Sequence, residues 1–186
     1  MKVASLLLMV LLYGCASQTV EPNYYLMRSD RDLQSGTLST SKVFSLGSVE
    51  IAAYLDQPGL VMQTADGQMR PAAQNLWAEP VYEGVRNFLS TEIAQDYGQE
   101  LLPTKVSLGT TAVNIRIDQL HGTLDGRAHI EAYWSLVRDG NVVALNRFIE
   151  TRNLVTEGYT GLVDAEKVLL AELAKRIAAS LATTAL

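Results

Sequence analysis

Two runs of alternating residues meet at Asp139-Gly140, and no other feature constrains the fold as strongly. From Arg127 to Arg138, residues Ala128, Ile130, Ala132, Trp134 and Leu136 share one face. A period of two is the mark of a strand with one buried side. Asp-Gly between two such runs signals a two-residue hairpin, because a type I′ turn needs positive φ at both central positions. Asn141 to Thr151 is then the return strand. Upstream, Val113, Ile115 and Ile117 alternate with Asn114, Arg116 and Asp118 over Val113 to Leu120. The three segments predict a meander with one apolar and one polar face, as an antiparallel sheet covered on one side requires.

The cover is legible too. Pro80 suits a first helical turn, where its missing N–H costs nothing. Val81, Val85, Phe88, Leu89 and Ile93 follow at helical spacing, and Gly98 ends the run. A second stripe comprises Leu162, Ala165, Val168, Leu169, Leu173, Ile177 and Leu181, within Gly161 to Leu181. Shorter strands are expected at 23–28, 43–53 and 60–64, the last turning at Asp66-Gly67 into a return at 68–72. Residues 29–41 and 54–59 read as loop and turn. The predicted fold is α+β, a two-layer domain with a mostly antiparallel sheet packed against two amphipathic helices.

The N-terminus carries a different signal. Lys2 precedes an apolar run from Val3 to Tyr13. A membrane-spanning helix needs roughly 20 apolar residues, so this run has the length of a signal-peptide core instead. It ends in Leu12-Tyr13-Gly14-Cys15, which resembles a lipobox, with bulky Tyr13 as its one departure. Small Gly14 gives a peptidase access, and the Cys15 thiol can form a thioether to diacylglycerol. We expect residues 1–14 to be a lipoprotein signal peptide, 15–22 a lipidated tether and 23–186 a single domain. One acyl chain gives marginal anchoring at ~0.8 kcal/mol per buried CH₂, whereas several hold firmly. Ala16, not Asp, follows Cys15, and that sorting rule points to the outer membrane.

Cys15 is the only cysteine, so once lipidated it leaves no thiol for catalysis, metal binding or a disulfide. The chain has 20 acidic and 15 basic residues, a formal charge of −5, and no basic cluster. Nucleic acid and anionic lipid are therefore poor partners. His121 and His129 are the two histidines; His129 shares a strand face with Glu131 and Tyr133, and a third metal ligand is not evident. No catalytic or phosphate-binding motif occurs, and we expect neither enzyme activity nor a cofactor. Met62, Met69 and the Tyr24-Tyr25 pair could line a lipid groove, although core or sheet packing is the favoured account of them. Trp77, just before a helix, is either a core staple or an interface anchor. Glu79 near the helix start gains from the helix dipole, worth ~0.3–1 kcal/mol.

Several blocks carry a family resemblance. They are Asn23-Tyr24-Tyr25-Leu26, Tyr54-Leu55 with Pro58-Gly59-Leu60-Val61, and Gln63-Thr64-x-Asp66. Asn75-Leu76-Trp77-Ala78-Glu79-Pro80 follows, then a helix with Arg86 and Leu89. Val113-x-Ile115-x-Ile117, Gly122, Gly126, the Trp134 strand and the closing helix complete the pattern. From about Tyr24 to Leu181 the chain resembles the PqiC family, within the ABC-type transport auxiliary lipoproteins. The resemblance implies a non-enzymatic outer-membrane lipoprotein on the periplasmic side. It implies partnership with a PqiB-like MCE-domain protein and through it an inner-membrane component, in moving phospholipid between membranes and supporting envelope integrity. A tubular partner suggests a homo-oligomeric ring, with lipid as cargo and Trp77, Glu79, Pro80, Tyr24 and Tyr25 as interface or core residues. The reading from a different class is a structural lipoprotein that assists outer-membrane protein assembly. The lipobox is directly testable: Cys15→Ser should move the protein from the membrane fraction to the soluble periplasmic fraction and abolish labelling by radioactive palmitate.

Overall fold

The computed structural model describes residues 20–31, 44–103 and 111–184; Cys15, the signal segment and most of the loop expected at 29–41 lie outside them. The strands are β1 (Asn23–Tyr25), β2 (Phe44–Ile51), β3 (Gly59–Gln63), β4 (Met69–Trp77), β5 (Leu102–Pro103), β6 (Thr111–Thr123), β7 (Arg127–Arg138) and β8 (Asn141–Asn153). The helices are α1 (Val81–Tyr97) and α2 (Gly158–Thr184), and a 3-10 turn spans Ala53–Leu55. The expected meander is β6, β7 and β8, with Val113 opposite Leu136 and Trp134 opposite Asn146. Asp139 and Gly140 have φ of 51° and 78°, the positive pair that the turn demands.

The fold is α+β, with both helices packed against each other and on one face of a single sheet. That sheet is mixed. Its longest ladders, β6–β7 and β7–β8, are antiparallel, as is β3–β4. The pairings β1–β4, β2–β5, β2–β6 and β3–β6 are parallel. Alternation reports which face a residue takes and says nothing of strand direction. Direction follows from the connections, and the route from β2 to β6 includes α1, long enough for a parallel crossover.

β6 is the axis of the sheet. One edge pairs with β7 along its length. The other edge is shared by two strands in tandem: β2 lies beside Thr111 to Ile117, and β3 beside Gly122 and Thr123. The 3-10 turn bridges the gap between them, with the Ala52 amide donating to the Ile117 carbonyl at 2.9 Å.

The inner face of the sheet and the two helices enclose one core. Ile115, Ile117, Ile130, Ala132 and Leu136 from the strands meet Leu169, Leu170, Leu173 and Ile177 of α2 and Val85, Leu89 and Ile93 of α1, all essentially unexposed. Burying each large aliphatic side chain is worth about 1.5–3 kcal/mol. β4 runs on to Trp77, five residues past the expected end, because β1 pairs with its far half: Asn23 opposite Asn75, Tyr24 opposite Leu76, Tyr25 opposite Trp77. Polar Gln74 and Asn75 give this half of the strand no apolar alternation of its own. Trp77 is 8% exposed and belongs to the core cluster. Trp77→Ala should destabilise the protein by about 3–5 kcal/mol, measured as a lower urea midpoint at unchanged m-value.

Candidate functional site

The first region of interest is the N-terminal arm. Beyond β1, Met27 is wholly buried, and Gly84 of α1 permits this: a Cβ on Gly84 would lie 2.9 Å from the Met27 Cβ. Arg28 makes a two-pronged ion pair with Glu79. Arg31 bonds Glu92 at 3.0 Å and Asp96 at 2.9 Å, both on α1. The Tyr25 hydroxyl donates to the Asn75 side chain at 3.2 Å, and the Ala78 amide donates to the Tyr25 carbonyl at 2.8 Å. Tyr25, Trp77 and Glu79 are thus brought together as the clamp that holds the arm. Tyr24 remains 64% exposed, and Pro80 is exposed at the start of α1.

The second is a set of polar groups in the gap on β6. Tyr54, from the 3-10 turn, accepts the Leu120 amide at 3.1 Å and lies 3.1 Å from His121 Nδ1. The Tyr54 hydroxyl thus bridges the β6 backbone and the imidazole of His121. Burial, helped by the charge of His129, holds the His121 pKa down to about 4. The two rings are cross-strand neighbours, 5.6 Å between centroids. Burial also pushes Tyr54 up, and the Glu166 charge adds to the shift. Glu166 on α2 is itself 3% exposed, its Oε2 has no hydrogen-bond partner, and burial raises it to about 8.

The outer face of the meander is polar, as expected. Glu131 accepts from Arg147 at 2.6 Å, Tyr133 at 2.9 Å and Gln119 at 2.9 Å. Arg147, then Tyr133, hold its carboxyl below the usual range. Arg116 and Arg147 lie over the Tyr133 ring at 5.3 and 5.5 Å, a cation–π arrangement. His129 Nδ1 meets the Thr151 hydroxyl at 2.8 Å. Each candidate ligand therefore has a protein partner, and the described residues contain no group of three metal-ligating side chains.

The third is a cavity of about 1070 Å³ at one pole, at the upper limit of the ~300–1,000 Å³ usual for small-molecule sites. Three loops form it: the β3–β4 turn, the β6–β7 turn and the β8–α2 loop. The first two are twins. In each, a Thr hydroxyl bonds an Asp two residues on and the carbonyl four residues on: Thr64 with Asp66 and Gln68, Thr123 with Asp125 and Arg127. Because β3 and β6 are parallel neighbours, with Gln63 opposite Thr123, the twin turns sit side by side. The third loop is drawn in by the Leu154 amide, which donates to the Gly126 carbonyl at 2.9 Å. It folds back tightly at Gly161, where a Cβ would lie 1.8 Å from the Thr156 carbonyl oxygen. Met62 lines this cavity, whereas Met69, Tyr24 and Tyr25 do not. The Thr-x-Asp-Gly pattern, present twice, was the available signal for paired turns; the cavity they wall has no local signature.

No helix among the described residues is long and apolar enough to cross a membrane. The profile of one family, the ABC-type transport auxiliary lipoprotein component, matches residues 24–178. The chain belongs to that family. Similar proteins include the intermembrane transport lipoprotein PqiC of Escherichia coli K12, 28% identical over 137 residues, covering 71% of this chain and 72% of that one. The same figures hold for the PqiC of Shigella flexneri. Among solved structures, a crystal structure of an uncharacterized protein aligns with a TM-score of 0.75 at 23% identity, covering 87% of this chain and 99% of that one. A Xanthomonas campestris protein aligns at 0.62 and 15% identity, covering 85% and 91%. Both show the same fold. For this auxiliary lipoprotein the family describes a transport component and names no reaction.

The buried titratable groups set the pH dependence of stability. His121 titrates at 6.5 when unfolded and about 4 when folded, so stability falls as pH drops from 6.5 towards 4. Glu166 moves from 4.5 to about 8, so stability falls as pH rises from 4.5 towards 8. The two slopes oppose between 4.5 and 6.5, and His129, also lowered by burial, adds to the acid side. The melting temperature should peak near the upper end of that window and fall on both sides. Glu166→Gln should abolish the alkaline fall and keep the acid one.

Proposed function

We propose that this auxiliary lipoprotein is a non-enzymatic outer-membrane component of an MCE-type intermembrane phospholipid transport complex, anchored through Cys15 on the periplasmic face. The carrying observation is the family match from residue 24 to 178, nearly the whole folded domain. The PqiC relatives, which bear the name of intermembrane transport lipoproteins, give it direction. The lipobox at Leu12 to Cys15 and Ala16 after it agree with an outer-membrane anchor.

In this reading the domain docks a PqiB-like MCE protein, and through it an inner-membrane component, and so supports envelope integrity. Copies form a ring that matches the rotational axis of a tubular partner. Within the Trp77 block we assign Trp77, Tyr25 and Glu79 to holding the arm, and the exposed Tyr24 and Pro80 to contact with a neighbour. The decisive measurement is the native mass of lipidated protein extracted gently from membranes. A symmetric multimer carrying an MCE protein is expected. A monomer that carries a β-barrel protein would overturn the proposal in favour of an assembly factor.

A further inference from the structure

The cavity at the pole has two features that its enclosure alone does not explain. Its rim carries apolar tips from separate loops, Leu124 at 65% exposed and Val155 at 93%. Its wall also carries two charges, Arg70 and Glu157, that have no ion-pair partner among the described residues. The guanidinium of Arg70 meets only the Gln68 side chain, at 3.3 Å, and no carboxylate among the described residues pairs with it. Below the charges, Met62, Leu154, Tyr159 and Leu162 supply an apolar lining. The site therefore offers what an amphiphile with both signs of charge requires.

The direction from which the chain arrives gives this pole an orientation. β1 is parallel to β4, with Asn23 opposite Asn75. Residues before Asn23 therefore run back towards the level of Ala72 and Ala73, which line the cavity. Cys15 is eight residues before Asn23, a reach of at most about 28 Å fully extended. The chain that leads to Cys15 thus leaves the domain at its cavity end. Exposed apolar loop tips at the tethered end of a domain with a net negative charge suit a zwitterionic bilayer and disfavour an anionic one.

We propose that this pole faces the anchoring membrane and that the cavity takes a zwitterionic phospholipid from it. Leu124 and Val155 enter the lipid, one acyl chain lies against Met62 and Leu162, the phosphate meets Arg70, and the headgroup ammonium meets Glu157. This deepens the transport reading above and rests on its anchor at Cys15.

The test uses the full lipidated protein in phosphatidylcholine vesicles that contain a phosphatidylcholine with a diazirine on its acyl chain. After illumination, labelled peptides are mapped by mass spectrometry. Label is expected on the segments containing Met62 and Leu154 to Leu162. Arg70→Glu, at an exposed position that leaves the melting temperature unchanged, should lower that label about tenfold. Val155→Asp should also lower it, while the protein stays vesicle-bound through Cys15. Label confined to other surfaces overturns the proposal, as does no label because the protein's own acyl chain fills the cavity. An intact complex with the MCE partner alongside an unlabelled cavity would remove this inference and leave the transport reading standing.

Discussion

The structure depends on how the second edge of β6 is satisfied. Every backbone N–H and C=O on a buried edge needs a partner, since an unpaired one costs about as much as a lost hydrogen bond. β7 meets that need on one side in a single antiparallel run. On the other side no single strand does so; β2 and β3 divide the length, and a gap is left around Leu120. Tyr54 closes it by accepting the Leu120 amide. A polar side chain thus completes a backbone ladder, and the same hydroxyl lies against His121, whose imidazole is kept neutral by burial. The tandem arrangement also places the turn after β3 next to the turn after β6, which is how the cavity comes to have two walls.

Much of this was legible. The strands on either side of Asp139-Gly140, the stripe after Pro80 and the stripe through Leu169 and Leu173 all hold the places that their periods assign. These elements share one property: each buries a single face, so a period of two or 3.6 reports it directly. The α+β class follows, because two such helices and a one-faced sheet have few other ways to exclude water.

The misses have a common cause as well. The parallel pairings, the extension of β4 to Trp77 and the tandem use of the β6 edge depend on contacts far apart in the chain. The stretch from Ala73 to Trp77 becomes strand because Asn23 to Tyr25 lie beside its far half. Glu79 invites a local account through the helix dipole, yet its carboxylate is taken up by Arg28, 51 residues away. His129 and Glu131 do share a face as read, but Thr151 and Arg147 of β8 occupy them. Partner choice of this kind is set by register, and register is invisible in a list of residue types. The Cys15 expectation is of the opposite kind, since a lipobox is a purely local pattern and Cys15 lies outside the described residues.

The arm that joins tether to domain has a mechanical meaning. A protein fixed to a membrane at its N-terminus feels every drag on its body as tension in that segment. Where such tension runs along β1, parallel to β4, it loads the strand-pairing hydrogen bonds in shear, all together, instead of peeling them one by one. Behind the strand, buried Met27 and the anchoring of Arg28 and Arg31 to Glu79, Glu92 and Asp96 would have to give before the pull reached the core. The arm is built as a strain relief, like the clamp that keeps tension on a cable away from its contacts.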